Sequence, residues 1–260
     1  MNAVFCQDGV IPILCTAIHN GNFLRPAIAE NLGISSADQL REEDPHTDFF
    51  TEISGNRVIV RTSRFQVDLN RPRERAVYLR AEDAWDLPVR SSSLSAEDIQ
   101  KSLKEYDVFY ARMQTFVADL LKRHRCIFVF DLHSYNHRRK GPGAAYDNPE
   151  KNPEIILGTN NMPQMHMPLI RSIQKTLQSY TVMGHALDAR INVKFPGGHF
   201  SRWLHATFPG SVICLALELR KDFMNEWSGE VNPAHLEELR NALASTIPVI
   251  TDYLAKSACQ

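Results

Sequence analysis

Two stretches of this chain are apolar almost without interruption, Cys126–Leu132 (CIFVFDL) and Ser211–Leu219 (SVICLALEL). A strand with one wet face alternates apolar and polar residues, so unbroken runs this short read as interior parallel strands covered on both sides. Pro12–Ile18 (PILCTAI) reads the same way ahead of a Gly/Asn turn, and Arg57–Thr62 is an alternating, β-branched strand. Between them lies a long helical pattern. Over Asp98–His124, Ile99, Leu103, Tyr106, Tyr110, Met113, Val117, Leu120 and Leu121 recur at spacings of three and four, and Ser95 with Asp98 resembles a capping box. Strands that alternate with helices point to an α/β fold with a mixed, mostly parallel sheet.

The remaining segments are shorter. Arg25–Leu32 reads as a brief helix stopped by Gly33, Met167–Ser179 as a helix and Thr181–Met183 as a short strand. Asn232 is a fitting N-cap with Pro233 behind it. The stripe Leu236, Leu239, Leu243, Ile247, Ile250 and Leu254 predicts one helix after that cap. Asn70–Ser93 and Tyr135–Leu157 read as loops, the second too long to be a mere connector. No repeat and no Pro/Gly/Ser-rich linker divides the chain, so residues 1–260 are expected to form a single domain.

Charge narrows the function. Lys and Arg number 29 against 30 Asp and Glu, a net charge of −1. A nucleic-acid binder or polybasic membrane binder carries a basic excess. No stretch approaches the ~18 apolar residues of a membrane span, and no secretory leader is visible. Cys6, Cys15, Cys126, Cys214 and Cys259 are odd in number and scattered, which fits idle thiols in a reducing cytoplasm.

Three polar residues stand where strands run out. His19 follows PILCTAI, His133 follows CIFVFDL, and Glu218 lies near the end of SVICLALEL. In open α/β sheets ligands bind beyond the carboxyl ends of the strands. Two histidines and a carboxylate converging there are what a zinc site with an open position needs. Either histidine alone reads first as a hydrogen-bonded turn residue. Asp131, two residues before His133 on the same strand face, can orient its ring. A carboxylate inside a core strand is costly unless paired or working, so Glu218 is read as functional, with an ion pair to Arg220 as its ordinary alternative. Arg41–Asp48 (REEDPHTD) is either a solvated acidic face or the source of a carboxylate ligand, Asp44 or Asp48. Ser63–Arg75 (SRFQVDLNRPRER) offers arginine forks for a carboxylate, or a salt-bridged surface loop. Phe195–Arg202 (FPGGHFSR) is a glycine-bearing ligand loop or a plain one. A G-x-S-x-G elbow, a dinucleotide fingerprint, a Walker loop and H-E-x-x-H are all missing, which disfavours those enzyme classes.

Taken in order, H-N-G at His19, E-E-D-P-H-T-D at Glu42–Asp48 and S-R-F-x-V-D-L-N-R-P-R-E at Ser63–Glu74 resemble the N-formylglutamate amidohydrolase family. D-L-H-S-Y at Asp131–Tyr135, G-G-H-F-S-R at Gly197–Arg202 and A-L-E-L-R at Ala216–Arg220 complete the resemblance, which spans about Pro12–Glu226. It implies the three-layer, phosphorylase/hydrolase-like sandwich of the zinc carboxypeptidases and of the aspartoacylase/succinylglutamate desuccinylase group, with one zinc per chain. In those relatives the first histidine and a glutamate share H-x-x-E. Here Asn22 stands in the glutamate's place, so the carboxylate ligand comes from elsewhere, and the resemblance favours Asp44 over Asp48 or Glu43. The resemblance implies His19, Asp44 and His133 as metal ligands, Glu218 as the catalytic carboxylate and Arg64 at the scissile carbonyl. It places Asn70 and Arg71 on a substrate carboxylate, with Arg202 and neighbouring His199 as further substrate contacts. The implied activity is hydrolysis of a small N-acyl acidic amino acid. The alternatives are another N-acyl amino acid or peptide as substrate, or a catalytically inactive relative that binds an acidic metabolite.

Overall fold

The run that opens at Cys126 continues as a strand to Tyr135 in the computed structural model, which describes residues 4–256. In chain order the strands are β1 (Val4–Gln7), β2 (Ile13–Ala17), β3 (Asn56–Val60), β4 (Ile127–Tyr135), β5 (Ile155–Gly158), β6 (Thr181–Val182), β7 (His185–Ala186), β8 (Ala189–Ile191) and β9 (Val212–Arg220). The helices are α1 (Pro26–Asn31), α2 (Ser36–Glu42), α3 (Thr47–Phe50), α4 (Ala96–Arg123), α5 (Met167–Gln178), α6 (His199–Thr207), α7 (Pro233–Ala244) and α8 (Ile247–Lys256). Seven strands form one sheet in the order β1-β3-β2-β4-β9-β5-β8, while β6 and β7 make a separate hairpin.

The four strands β3, β2, β4 and β9 run parallel, and β1 and β5 flank them antiparallel, so the sheet is mixed as expected. Parallel register sets His133 of β4 opposite Glu218 of β9, and Thr16 of β2 opposite Asp131. Alternation then sorts the core residues. Ile127, Val129, Val212 and Cys214 pack with the α4 stripe and with Phe200 and Leu204 of α6. Phe128, Phe130, Leu132, Leu215 and Leu217 pack with α5, α7 and α8 on the other face. The result is three layers with the central strands buried on both sides, which is why their sequences carry no polar alternation. Asp131, His133 and Glu218 share the α4 side at the strands' carboxyl ends.

The long helix begins where the cap predicts, with Ser95 Oγ accepting from the Asp98 amide at 3.1 Å. Asn232 likewise caps α7, accepting from the His235 amide at 3.2 Å. The single helix expected over Leu236–Leu254 is instead two. Pro248 cannot donate to the carbonyl four residues back, and the Ser245 and Thr246 hydroxyls donate to the Ala242 and Leu243 carbonyls beside the break. The loop expected over Tyr135–Leu157 gives up its ends, Tyr135 to β4 and Ile155–Leu157 to β5. Phe195–Arg202 is a loop only to Gly198, since α6 starts at His199. Cys6, Cys15 and Cys214 are free, and Cys259 lies outside the described residues. Among the described residues no helix is long and apolar enough to cross a membrane.

Candidate metal centre and substrate cavity

The carboxyl ends of β3, β2, β4 and β9 border a cavity of about 200 Å³. Each contributes chain to it. His19 follows β2, Arg64 and Asp68 follow β3, His133 is on β4, and Glu218 and Lys221 sit at the end of β9. The loop from β2 can approach β3 because residue 21 is glycine; a Cβ there would lie 2.0 Å from the Arg61 carbonyl carbon.

His19, Asp44 and His133 meet here, with one ligand atom from each within 4.8 Å of the others, and all three are buried. Asp44 Oδ2 is 3.0 Å from His133 Nδ1 and 3.5 Å from His19 Nδ1. The opposite ring nitrogens are held by other acids. His19 Nε2 lies 2.7 Å from Asp68 Oδ1, and His133 Nε2 lies 3.0 Å from Asp131 Oδ1. Burial raises the Asp68 carboxyl, but Arg64, His19 and Tyr78 outweigh it and hold the group well below its ordinary range. It is therefore an acceptor, and His19 Nε2 carries the proton. Burial likewise works against charge on His133, yet Asp131 and Asp44 raise its pKa well above the ordinary imidazole value. Asp44 is held below the carboxylate range by hydrogen bonds from His133 and His19, against the opposing effect of burial. Carboxylate-backed imidazoles are how metal-ligating histidines are oriented. The donor set fits zinc.

The acidic run Arg41–Asp44 is buried rather than a solvated face. Asp48 does not join the histidines; it lines a separate groove with Asn20 and His46. Glu43 turns away as well, accepting from Gln39 Nε2 at 2.8 Å and from the Ser63 hydroxyl.

Glu218 opens onto the cavity and is not paired with Arg220, which instead bonds Asp222 at 2.5 Å. Burial pushes its carboxyl up to about 7, with Asp44 and Asp131 adding to the rise and His133 and Arg64 opposing it. Arg64 is held by Asp68 at 2.9 Å and lies over the Trp85 ring at 4.7 Å. Its Nε is buried without a hydrogen-bond partner. Asn70 and Arg71 both line the cavity. The Asn70 amide donates to Asp68 Oδ1 at 2.8 Å, and Arg71 Nε is 3.8 Å from Asp68 Oδ2. Gly198 packs so tightly on the Asn70 side chain that a Cβ would fall 2.2 Å from Oδ1.

His199 and Arg202 are not brought to the cavity. His199 Nε2 is 3.1 Å from the Tyr106 hydroxyl and Arg202 reaches Asn161 at 3.4 Å. Asp68, Trp85, Arg139 and Lys221 are among the lining residues to which the sequence assigns no role. Asp68 lay in plain view two residues ahead of Asn70, and Lys221 three after Glu218. Nothing local marks Arg139, which reaches the cavity from the long loop and contacts Glu42 Oε1 at 3.3 Å.

The family model described as N-formylglutamate amidohydrolase matches residues 11–224. An N-formylglutamate deformylase from Pseudomonas aeruginosa is 27% identical over 257 residues, covering 91% of either chain. Among solved structures, an N-formylglutamate amidohydrolase from Ralstonia eutropha aligns with a TM-score of 0.78 at 16% identity, over 98% of this chain and 99% of that one. A gene product of Agrobacterium tumefaciens aligns with a TM-score of 0.68 at 18% identity, over 97% and 94%. At these identities the two structures speak for the fold. The family match speaks for more, since it runs from the start of β2 past the end of β9 and takes in every residue of the buried cluster. The chain belongs to the N-formylglutamate amidohydrolase family.

Proposed function

We propose that this protein hydrolyses the N-formyl amide of an acidic amino acid such as N-formylglutamate, using one zinc held by His19, Asp44 and His133. The observation that carries the reading is the buried pair of imidazoles whose Nδ1 atoms face Asp44 while Asp68 and Asp131 hold their Nε2 atoms. A zinc bound there would acidify a water molecule towards neutrality and polarise the acyl oxygen.

The chain's own groups do the rest. Glu218 stands opposite His133 across the β4–β9 register and opens onto the same cavity. With its carboxyl poised near neutrality it can take a proton from the attacking water and return it to the leaving amine. Arg64 is fixed by Asp68 and Trp85 with a donor to spare, which suits it to the negative charge that develops on the carbonyl oxygen. Asn70 and Arg71 bind the α-carboxylate of the amino acid. This remote contact sets the scissile bond against Glu218. Formate and the free amino acid are the products.

The test is formate release from N-formylglutamate by zinc-loaded protein, with N-acetylglutamate and N-formylleucine as comparisons. Glu218→Gln should keep its zinc and lose about 10²–10⁴-fold in kcat. No turnover of any N-acyl amino acid by the unaltered chain would leave an inactive binding protein in place of the enzyme, and near-normal activity of the Gln variant would remove Glu218 as the acid/base.

A further inference from the structure

Lys221 is 1% exposed, among the most buried cations of the chain. A lysine is almost never buried this way without a partner that offsets its desolvation. The carboxylates around it are taken by others: Glu42 by Arg41 and Arg139, and Glu226 by Arg41 and His137. Instead, Lys221 Nζ donates to two main-chain carbonyls, Arg41 O and Glu43 O, at 2.6 Å each. These lie at the end of α2, where carbonyls have no partner within the helix and where the helix dipole favours a cation. Lys221 thus closes α2 from the far end of β9, and its own amide is fixed by the Tyr135 carbonyl at 3.1 Å.

The bond to Glu43 O has a further consequence. That oxygen belongs to the peptide whose nitrogen is the Asp44 amide, and this amide donates to His19 O at 3.0 Å. Both ends of one planar unit are therefore held, the oxygen by Lys221 and the N–H by the chain at His19. The plane fixes where the Asp44 Cα stands, and from there Oδ2 reaches both Nδ1 atoms. We propose that Lys221 is a positioning residue for the carboxylate ligand: it clamps the Glu43–Asp44 peptide so that Asp44 completes the set with His19 and His133. The proposal rests on the metal reading given above. It also ties the ligand to the strand end that carries Glu218, so metal and acid/base keep their relative places.

The test is zinc affinity of the full chain, measured by competition with a chromophoric chelator, in a double-mutant cycle of Lys221→Met and Asp44→Ala. Lys221→Met should weaken zinc by about 10–100-fold, as removal of an outer supporting contact does. Lys221→Arg, which can also donate to two carbonyls, should recover part of that loss. In the Asp44→Ala background the same Met substitution should change zinc affinity by no more than about twofold, because its path runs through the missing carboxylate. Should the Met variant fail to fold, Lys221→Gln carries the same cycle with a neutral donor. Unchanged zinc affinity in Lys221→Met, or an equal loss in both backgrounds, overturns the inference while leaving the metal site standing. If the unaltered chain takes up no zinc, the metal reading and this inference fall together.

Discussion

Asp68 accepts from the Asn70 amide, from Arg64 and from the Tyr78 hydroxyl, and it backs His19 at 2.7 Å. One buried carboxylate thereby joins a proposed ligand, the arginine proposed to act at the carbonyl and the start of the segment proposed to hold the substrate. Removing its charge leaves Arg64 buried beside a neutral group and frees the His19 tautomer. Asp68→Asn should weaken zinc by about 10–100-fold and also lower kcat/KM. Zinc titration alongside steady-state kinetics checks both, and a variant with unaltered zinc affinity would reduce Asp68 to an arginine partner. Arg71 has a different expected signature. Arg71→Ala should chiefly raise KM for acidic substrates with kcat little changed, the mark of lost uniform binding. A fall in kcat at constant KM would move Arg71 from binding to catalysis. His19, His133 and Glu218 were legible one residue at a time, because each is polar against an apolar run. Lys221 acquires meaning only from what surrounds it.

At the scale of elements, α6 shows how a helix can start where its own sequence gives no cap. Gly198 has no side chain to offer, and the Phe200 amide donates instead to Asn70 Oδ1 at 3.0 Å, 130 residues away in sequence. The helix is fastened to β9 by His205, whose Nε2 accepts from the Cys214 amide at 2.9 Å. A nitrogen that accepts is unprotonated. Burial, with help from His166, lowers the His205 pKa to about 4 from its ordinary 6.5. In the unfolded chain this group binds its proton first, so its contribution to stability is full above pH 6.5 and is lost as pH falls from there through about 4. The slope for one such proton is at most about 1.4 kcal/mol per pH unit. Urea midpoints between pH 7 and 4 should fall less steeply in His205→Gln than in the parent; parallel curves would show that His205 is not the group responsible.

At the scale of the whole molecule, a neutral chain has separated its charges. Acids and imidazoles gather at one point of the sheet's rim while Arg64, Arg71, Arg139 and Lys221 line the same cavity. The net charge of −1 conceals this division. The cluster is also a stability term. Without an ion, two imidazoles and three buried carboxylates face one another, and the proposed zinc would bind only the folded arrangement. Zinc at 100 times its Kd should stabilise the fold by about 2.7 kcal/mol. Calorimetry before and after chelation should show a lower Tm that zinc restores, and equal Tm values would deny a structural contribution to the ion.

The sequence by itself determined the layers. Unbroken apolar runs can only be interior strands, the 3.6-residue stripe of α4 can only lie on them, and polar residues at the run ends can only face the rim. Those are local consequences of hydrophobic burial and side-chain periodicity, and they carry from the pattern to the fold. Boundaries set by competition were less legible, as at Ser245–Thr246, where Pro248 ends a stripe that hydropathy continues. Only the tertiary structure brings Asp44 rather than Asp48 to the two histidines, although they sit four residues apart in the same acidic run. The choice depends on which peptide is clamped between Lys221 and His19, contacts made across 178 and 25 residues of chain. Hydrogen bonds between distant segments leave no periodicity to read, and so the proposed ligand set emerges only when the strands are side by side.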